Sequence, residues 1–122
     1  MKRPLQRSHE PVFWLLFGAG GMLSALVGPV LVFITGIAVP LGLLLPARLL
    51  DHAHALAVAR HPLGKLALLA VVALFLFHGC HRLLHSLHDL GWHTGLVARL
   101  LFYGAAALGS VAAAGLLLAI GF

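Results

Sequence analysis

The sequence predicts an all-α membrane protein with three transmembrane helices, its amino terminus cytoplasmic and its carboxyl terminus periplasmic. Three observations carry this. Hydrophobic residues make up 61% of the 122-residue chain and charged residues only 9%, too little polar surface to cover a soluble globule of this size. Three apolar stretches, over about 12–45, 63–90 and 96–122, each reach the roughly 20 residues that a helical crossing requires. Lys and Arg gather at the ends of those stretches, so the net charge of +5 reads as membrane orientation, with lipid as the surrounding partner and no nucleic acid. The whole chain, residues 1–122, is expected to form a single membrane domain.

Residues 1–11 are polar, carry Lys2, Arg3 and Arg7, and end in Glu10-Pro11, where the missing N–H and fixed φ of proline suit the first turn of a helix. A basic start followed by apolar residues resembles a signal sequence. The apolar part runs well past the usual length, so this segment is expected to be retained. From Val12 to Leu45 nearly every residue is apolar or small, longer than one straight crossing needs, and Pro29 and Pro40 are the expected bend points. Phe13, Trp14 and Phe17 suit the interfacial aromatic belt. Gly18, Ala19, Gly20 and Gly21, followed by Ser24, Ala25 and Gly28, leave one side of this helix without bulk, open to a neighbouring backbone or to a flat ligand.

Pro46 to Gly64 is read as a solvated interfacial turn containing Arg48, Asp51, His52, His54, Arg60 and His61. Its HAH pair lacks a third ligand, and the single Cys80 offers neither a disulfide nor a thiolate metal site, so no metal-ligating set is assigned. The second span runs from about Lys65 into FHGCHRLLHSLHDLGW, with Gly91 as its stop signal. The third begins near Leu96, with Arg99 at its boundary, Ala105 and Gly109 at four-residue spacing, and only Ser110 as a deep polar side chain. It is read as a structural helix. Lys2, Arg3, Arg7, Arg82 and Arg99 on one side outnumber Arg48, Arg60 and Lys65 on the other, which sets the orientation.

Four histidines, Arg82 and Asp89 at the end of the second span are the chemistry to explain. At about 100° per residue, His78, Arg82, His85 and Asp89 fall within an arc of about 60°, with His81 and His88 beside them. Polar groups at this depth need partners. A membrane haem takes axial ligands from different helices, whereas these imidazoles share one, so no haem is expected unless a partner chain supplies the second ligand. A transporter needs charge in mid-membrane, and none of the three spans provides it. A quinone site fits better: its flat headgroup wants aromatic and glycine surfaces, its two oxygens want Arg, His or Trp N–H donors, and quinol oxidation wants a proton acceptor. Trp14, Phe17 and Gly18 on the first helix and His81, Arg82 and His85 on the second supply most of that list.

EPVFWLLFGAGGM at Glu10 to Met22, HRLLHSLHDL at His81 to Leu90 and the FYG of Phe102 to Gly104 closely resemble the D subunit of bacterial quinol:fumarate reductases, the smaller of two hydrophobic anchors. The likeness is collinear over nearly the whole chain and weakest from Ala47 to Gly64. It implies a complex in the bacterial cytoplasmic membrane in which a flavoprotein subunit reduces fumarate, an iron-sulfur subunit sits on this anchor and a second hydrophobic anchor, and menaquinol is oxidised near a [3Fe-4S] cluster without haem. The family's site residues carry over onto Trp14, His81 and Arg82, with Phe17, Gly18 and His85 at lining positions. Leu84 departs from the family pattern HRxHHxxHDL by replacing one of its paired histidines. No catalytic residue is assigned to this chain; a main carboxylate, where one is needed, falls to the partner anchor.

Overall fold

A computed structural model describes residues 10–122, apart from the side chains of Glu10 and Phe13. Lys2, Arg3 and Arg7, on which much of the orientation argument rests, lie outside the described residues. Four α-helices follow in order: α1, Glu10–Phe33; α2, His52–Arg60; α3, Pro62–Asp89; and α4, Leu96–Ala119. Three segments are long and apolar enough to cross a membrane, Trp14–Ala38, Pro62–Asp89 and Leu96–Ala119. At 1.5 Å per residue, the shortest of them measures about 36 Å against a hydrocarbon core of about 30 Å. The chain is a multi-pass membrane protein.

Pro29 lies inside α1 without ending it. The helix instead gives way at Ile34–Ala38, where the backbone widens into a π-helical turn and Val39 N–H donates to Ile34 O at 3.0 Å. Pro40 then removes the N–H needed to continue, and residues 39–45 form turns rather than helix. The segment before α3 also departs from a simple solvated turn. Ala47–Leu50 forms a 3₁₀ turn and α2 follows at once, because Asp51 caps it: Oδ1 accepts from His54 N–H at 2.8 Å. His61 in turn caps α3, its Nδ1 accepting from Leu63 N–H at 3.2 Å, with Pro62 in the first turn.

The far end of α3 closes as the sequence predicts. Gly91 takes φ 84°, Gly91 N–H donates to His88 O at 3.0 Å, and Trp92 N–H donates to Leu87 O at 3.1 Å. This pair of bonds satisfies the last carbonyls of α3 and needs a residue in the left-handed region, where glycine has no Cβ to clash.

Helix α3 lies between α1 and α4, and each neighbour runs antiparallel to it. Phe17 meets His78 and Gly20 meets Leu74 on one side; His81 meets Tyr103, Leu76 meets Gly109 and Lys65 meets Leu117 on the other. The α1 contact depends on missing side chains. A Cβ on Gly20 would stand 2.7 Å from Leu74 O, and one on Gly21 would stand 2.9 Å from Cε1 of His78. Thus Gly20 and Gly21 serve helix packing, whereas a Cβ on Gly18 or Gly28 would meet nothing within 4 Å. Few side chains are buried, among them Leu84 and Ala106. The large apolar side chains elsewhere face outward, which demands lipid or other subunits around them.

Candidate functional site

The α1, α3 and α4 helices meet in a knot of rings at the Trp14 end of the bundle. Phe17 of α1 stacks on His81 of α3 with centroids 4.2 Å apart and planes 12° from parallel. Tyr103 of α4 lies 5.8 Å from the Phe17 ring, and its hydroxyl is 2.8 Å from Nδ1 of His81. His85, one turn further along α3, brings its ring to 4.4 Å from that of His81. The i, i+4 spacing of His81 and His85 puts them on one face. His78, three residues before His81, points its Nδ1 at Phe17 O, 3.2 Å away.

Three recesses surround this knot. One, of about 270 Å³, is lined by Trp14, Phe17, Gly18, His78 and His81. A second, of about 310 Å³, lies between Leu16, Phe17, Phe77 and Tyr103. The third, of about 360 Å³, is lined by Leu84, His85, His88, Thr94, Arg99 and Tyr103 and is the most polar of the three.

The first recess gathers four of the six residues singled out in the sequence, Trp14, Phe17, Gly18 and His81. Gly18 leaves its floor open, since no atom lies within 4 Å of where its Cβ would be, and Trp14 is 82% exposed. His85 belongs to the third recess rather than the first. Arg82 is exposed and lines none of the three.

Two residues enter that have no place in the site expected from the sequence. His78 belongs to the polar stripe but not to that expected set; Tyr103 lies in the FYG motif of a helix read as structural. The signal for each is present in the sequence, but only the packing of α1 and α4 on α3 gives it meaning. Among the described residues no group of three or more His, Cys, Asp or Glu side chains could hold a metal ion.

Chemically, the first recess offers a flat apolar wall with ring nitrogens at its edge. His81 holds one nitrogen against a hydroxyl, which can donate or accept, and His78 holds one against a carbonyl, which only accepts. At about 270 Å³ it falls just below the usual volume of an enclosing ligand pocket. By itself it does not enclose a ligand of that size.

Comparison with known proteins gives the family. Positions 4–118 match the family model of the fumarate reductase D subunit. The chain is 47% identical over 119 residues to the fumarate reductase D subunit of Mycobacterium tuberculosis (strain H37Rv), covering 95% of this chain and 92% of that one. It is 42% identical over 106 residues to the protein of the same name from Vibrio vulnificus, covering 87% and 84%. With the Aliivibrio fischeri protein it shares 38% identity over 111 residues, covering 91% and 92%. The match spans all three membrane helices and every residue of the ring knot, and the chain belongs to the family of fumarate reductase D subunits.

Proposed function

We propose that this chain is one of two hydrophobic anchors that hold the flavoprotein and iron-sulfur subunits of fumarate reductase to the cytoplasmic face of the bacterial inner membrane, and that it supplies one wall of a menaquinol-oxidising site. In this reading the amino terminus and the Trp14 end lie on the cytoplasmic side and the carboxyl terminus lies in the periplasm. The observation that carries it is the recess of Trp14, Phe17, Gly18, His78 and His81, which combines an open glycine floor, aromatic surface and ring nitrogens at one end of a three-span bundle.

The residues fit a quinone headgroup. Gly18 lets a flat ring approach the α1 backbone, and Trp14 offers either its face or its indole N–H. His81, steadied by Phe17 and Tyr103, presents a ring nitrogen to an oxygen, while Arg82, next to it in α3, and His85, one turn further on, act from the rim. A bound menaquinol would supply two electrons and two protons to the complex. Among the described residues no metal-ligating set is found, and in this reading the chain contributes binding, orientation and proton acceptance, while the second hydrophobic anchor closes the site.

Photoaffinity labelling of the assembled complex with an azido-menaquinone analogue tests this. Label on α1 or α3 near the recess is the expected result. Label confined to other subunits would reduce the chain to a structural anchor.

A further inference from the structure

His78 differs from its neighbours in what its partner permits. Its Nδ1 faces a backbone carbonyl, Phe17 O, at 3.2 Å, and a carbonyl has no proton to give. The bond exists only when Nδ1 carries the hydrogen, so a neutral His78 has its lone pair on Nε2. His81 is not constrained in this way, because the Tyr103 hydroxyl can donate or accept. The ring of His78 is also held in place: it lies against Gly21, where a Cβ would come within 2.9 Å of Cε1. Among the described residues, Nε2 of His78 makes no hydrogen bond within the chain, and the side chain lines the same recess as Trp14, Phe17 and Gly18.

We infer that His78 is a catalytic base of the quinol site, fixed in the accepting tautomer by the carbonyl of Phe17. This rests on the reading of the recess as a menaquinol site. In the step, His78 takes one hydroxyl proton on Nε2: an O–H bond breaks and an N–H bond forms. The resulting imidazolium keeps its Nδ1–H on Phe17 O. The two electrons pass in turn to the one-electron iron-sulfur carrier of the partner subunit, and the other hydroxyl proton goes to a second base. His78 then sheds the Nε2 proton to water. Phe17 thereby acts twice, through its ring on His81 and through its carbonyl on His78.

The test uses the assembled complex in lipid nanodiscs. In ¹⁵N-histidine-labelled complex, with the His78 signals identified by their loss in His78→Asn, the expected spectrum shows Nδ1 protonated and Nε2 bare. A proton on Nε2 in the resting state overturns the proposal. His78→Asn places an amide N–H₂ where Nδ1 stands, so it can keep the bond to Phe17 O while removing the base. Its menaquinol oxidation should fall by about 100-fold or more, in the range of general-base catalysis, while affinity for an oxidised menaquinone analogue changes by less than about threefold. Turnover within about threefold of the parent overturns the proposal.

Gly18→Leu, whose Cβ meets nothing within 4 Å and whose side chain occupies the recess while the base stays in place, separates the two claims. If it blocks analogue binding while His78→Asn turns over normally, only the role of His78 fails. If it changes neither binding nor turnover, the recess is not the quinol site and both readings fail together.

Discussion

At the Lys65 end of α3 a basic side chain is buried and turned into the chain; at the His81 end, sixteen residues and about 24 Å along the helix, basic side chains gather around an open recess. Lys65 is 7% exposed. Its Nζ donates to Leu117 O and stands 4.9 Å above the Phe122 ring. Leu117 lies in the last turn of α4, where carbonyls lack helical partners and the helix dipole favours a cation. Lys65 therefore caps a helix to which it does not belong. The recess beside it, about 290 Å³ and lined by Pro62, Leu66, Leu69, Ala114 and other apolar residues, is at least as large as the Trp14 recess. Volume alone does not distinguish the ends. What differs is the polar atoms: Lys65 spends its head group inside the chain, whereas His78 and His81 each commit Nδ1 and, among the described residues, neither Nε2 makes a hydrogen bond.

The largest effect that should break this comparison is at Gly18. A Cβ there meets no atom within 4 Å, and a leucine side chain occupies the recess, so menaquinol oxidation should fall by about 100-fold, as expected when a ring is displaced by an ångström or more. The thermal midpoint of the complex should not change. Gly20→Ala should do the reverse, loosening α1 from α3 at a cost of about 1–3 kcal/mol for an overpacked contact, visible as a lower unfolding temperature.

At the other end, Lys65→Met keeps most of the apolar stem and removes the cap. It should cost about 2 kcal/mol, the range for a hydrogen bond to a charged group, with menaquinol turnover unaltered. A drop in turnover without loss of stability would mean that the Lys65 end also serves a ligand. Smaller still, Tyr103→Phe keeps the ring beside Phe17 and removes the hydroxyl from His81. About 1 kcal/mol, or roughly fivefold in menaquinol oxidation, is expected; an effect as large as that of Gly18→Leu would make Tyr103 a primary site residue.

The sequence makes some of this legible and not the rest, for a geometric reason. Helix length, the Gly91 stop and the identity of Trp14, Phe17, Gly18 and His81 as a group follow from composition, spacing and resemblance. The angular position of a residue on its own helix also follows: His78 and Arg82 are only about 40° apart around α3. Where α1 sits against that arc does not follow, because it depends on Gly20 and Gly21 admitting Leu74 and His78. With α1 in place, His78 lines the recess and Arg82 does not. Tyr103 is hidden for a similar reason: its importance comes from reaching across to His81, and nothing within α4 announces it. Lys65 reads as a boundary charge until the end of α4 is placed beside it. The short helix α2 has a local signal in Asp51, which the low hydropathy of the segment masks by favouring a turn.

Asp51 gives the smallest expected effect and tests whether α2 is held by that local signal alone. Its carboxyl is held below the usual carboxylate range, first by the backbone N–H of His54 and then by the His54 side chain, whose Nδ1 is 2.7 Å from Oδ1. Because the folded value is depressed, the stabilisation of α2 is fully present above the ordinary carboxylate pKa and is lost as pH falls through the lower, folded value. The first turn of α2 should therefore loosen at acid pH, with faster amide exchange at His54 once the intrinsic pH dependence of exchange is removed. Asp51→Asn retains an acceptor for the His54 N–H, since asparagine caps helices about as well as aspartate, but it has no proton to gain. It should abolish the acid step while leaving α2 formed near neutrality. If α2 melts in that variant at neutral pH, the charge on Asp51 matters more than its geometry; if the acid step survives, some other group controls the turn. Quinol oxidation should be indifferent to both, because α2 belongs to the Lys65 end of α3, away from the Trp14 recess.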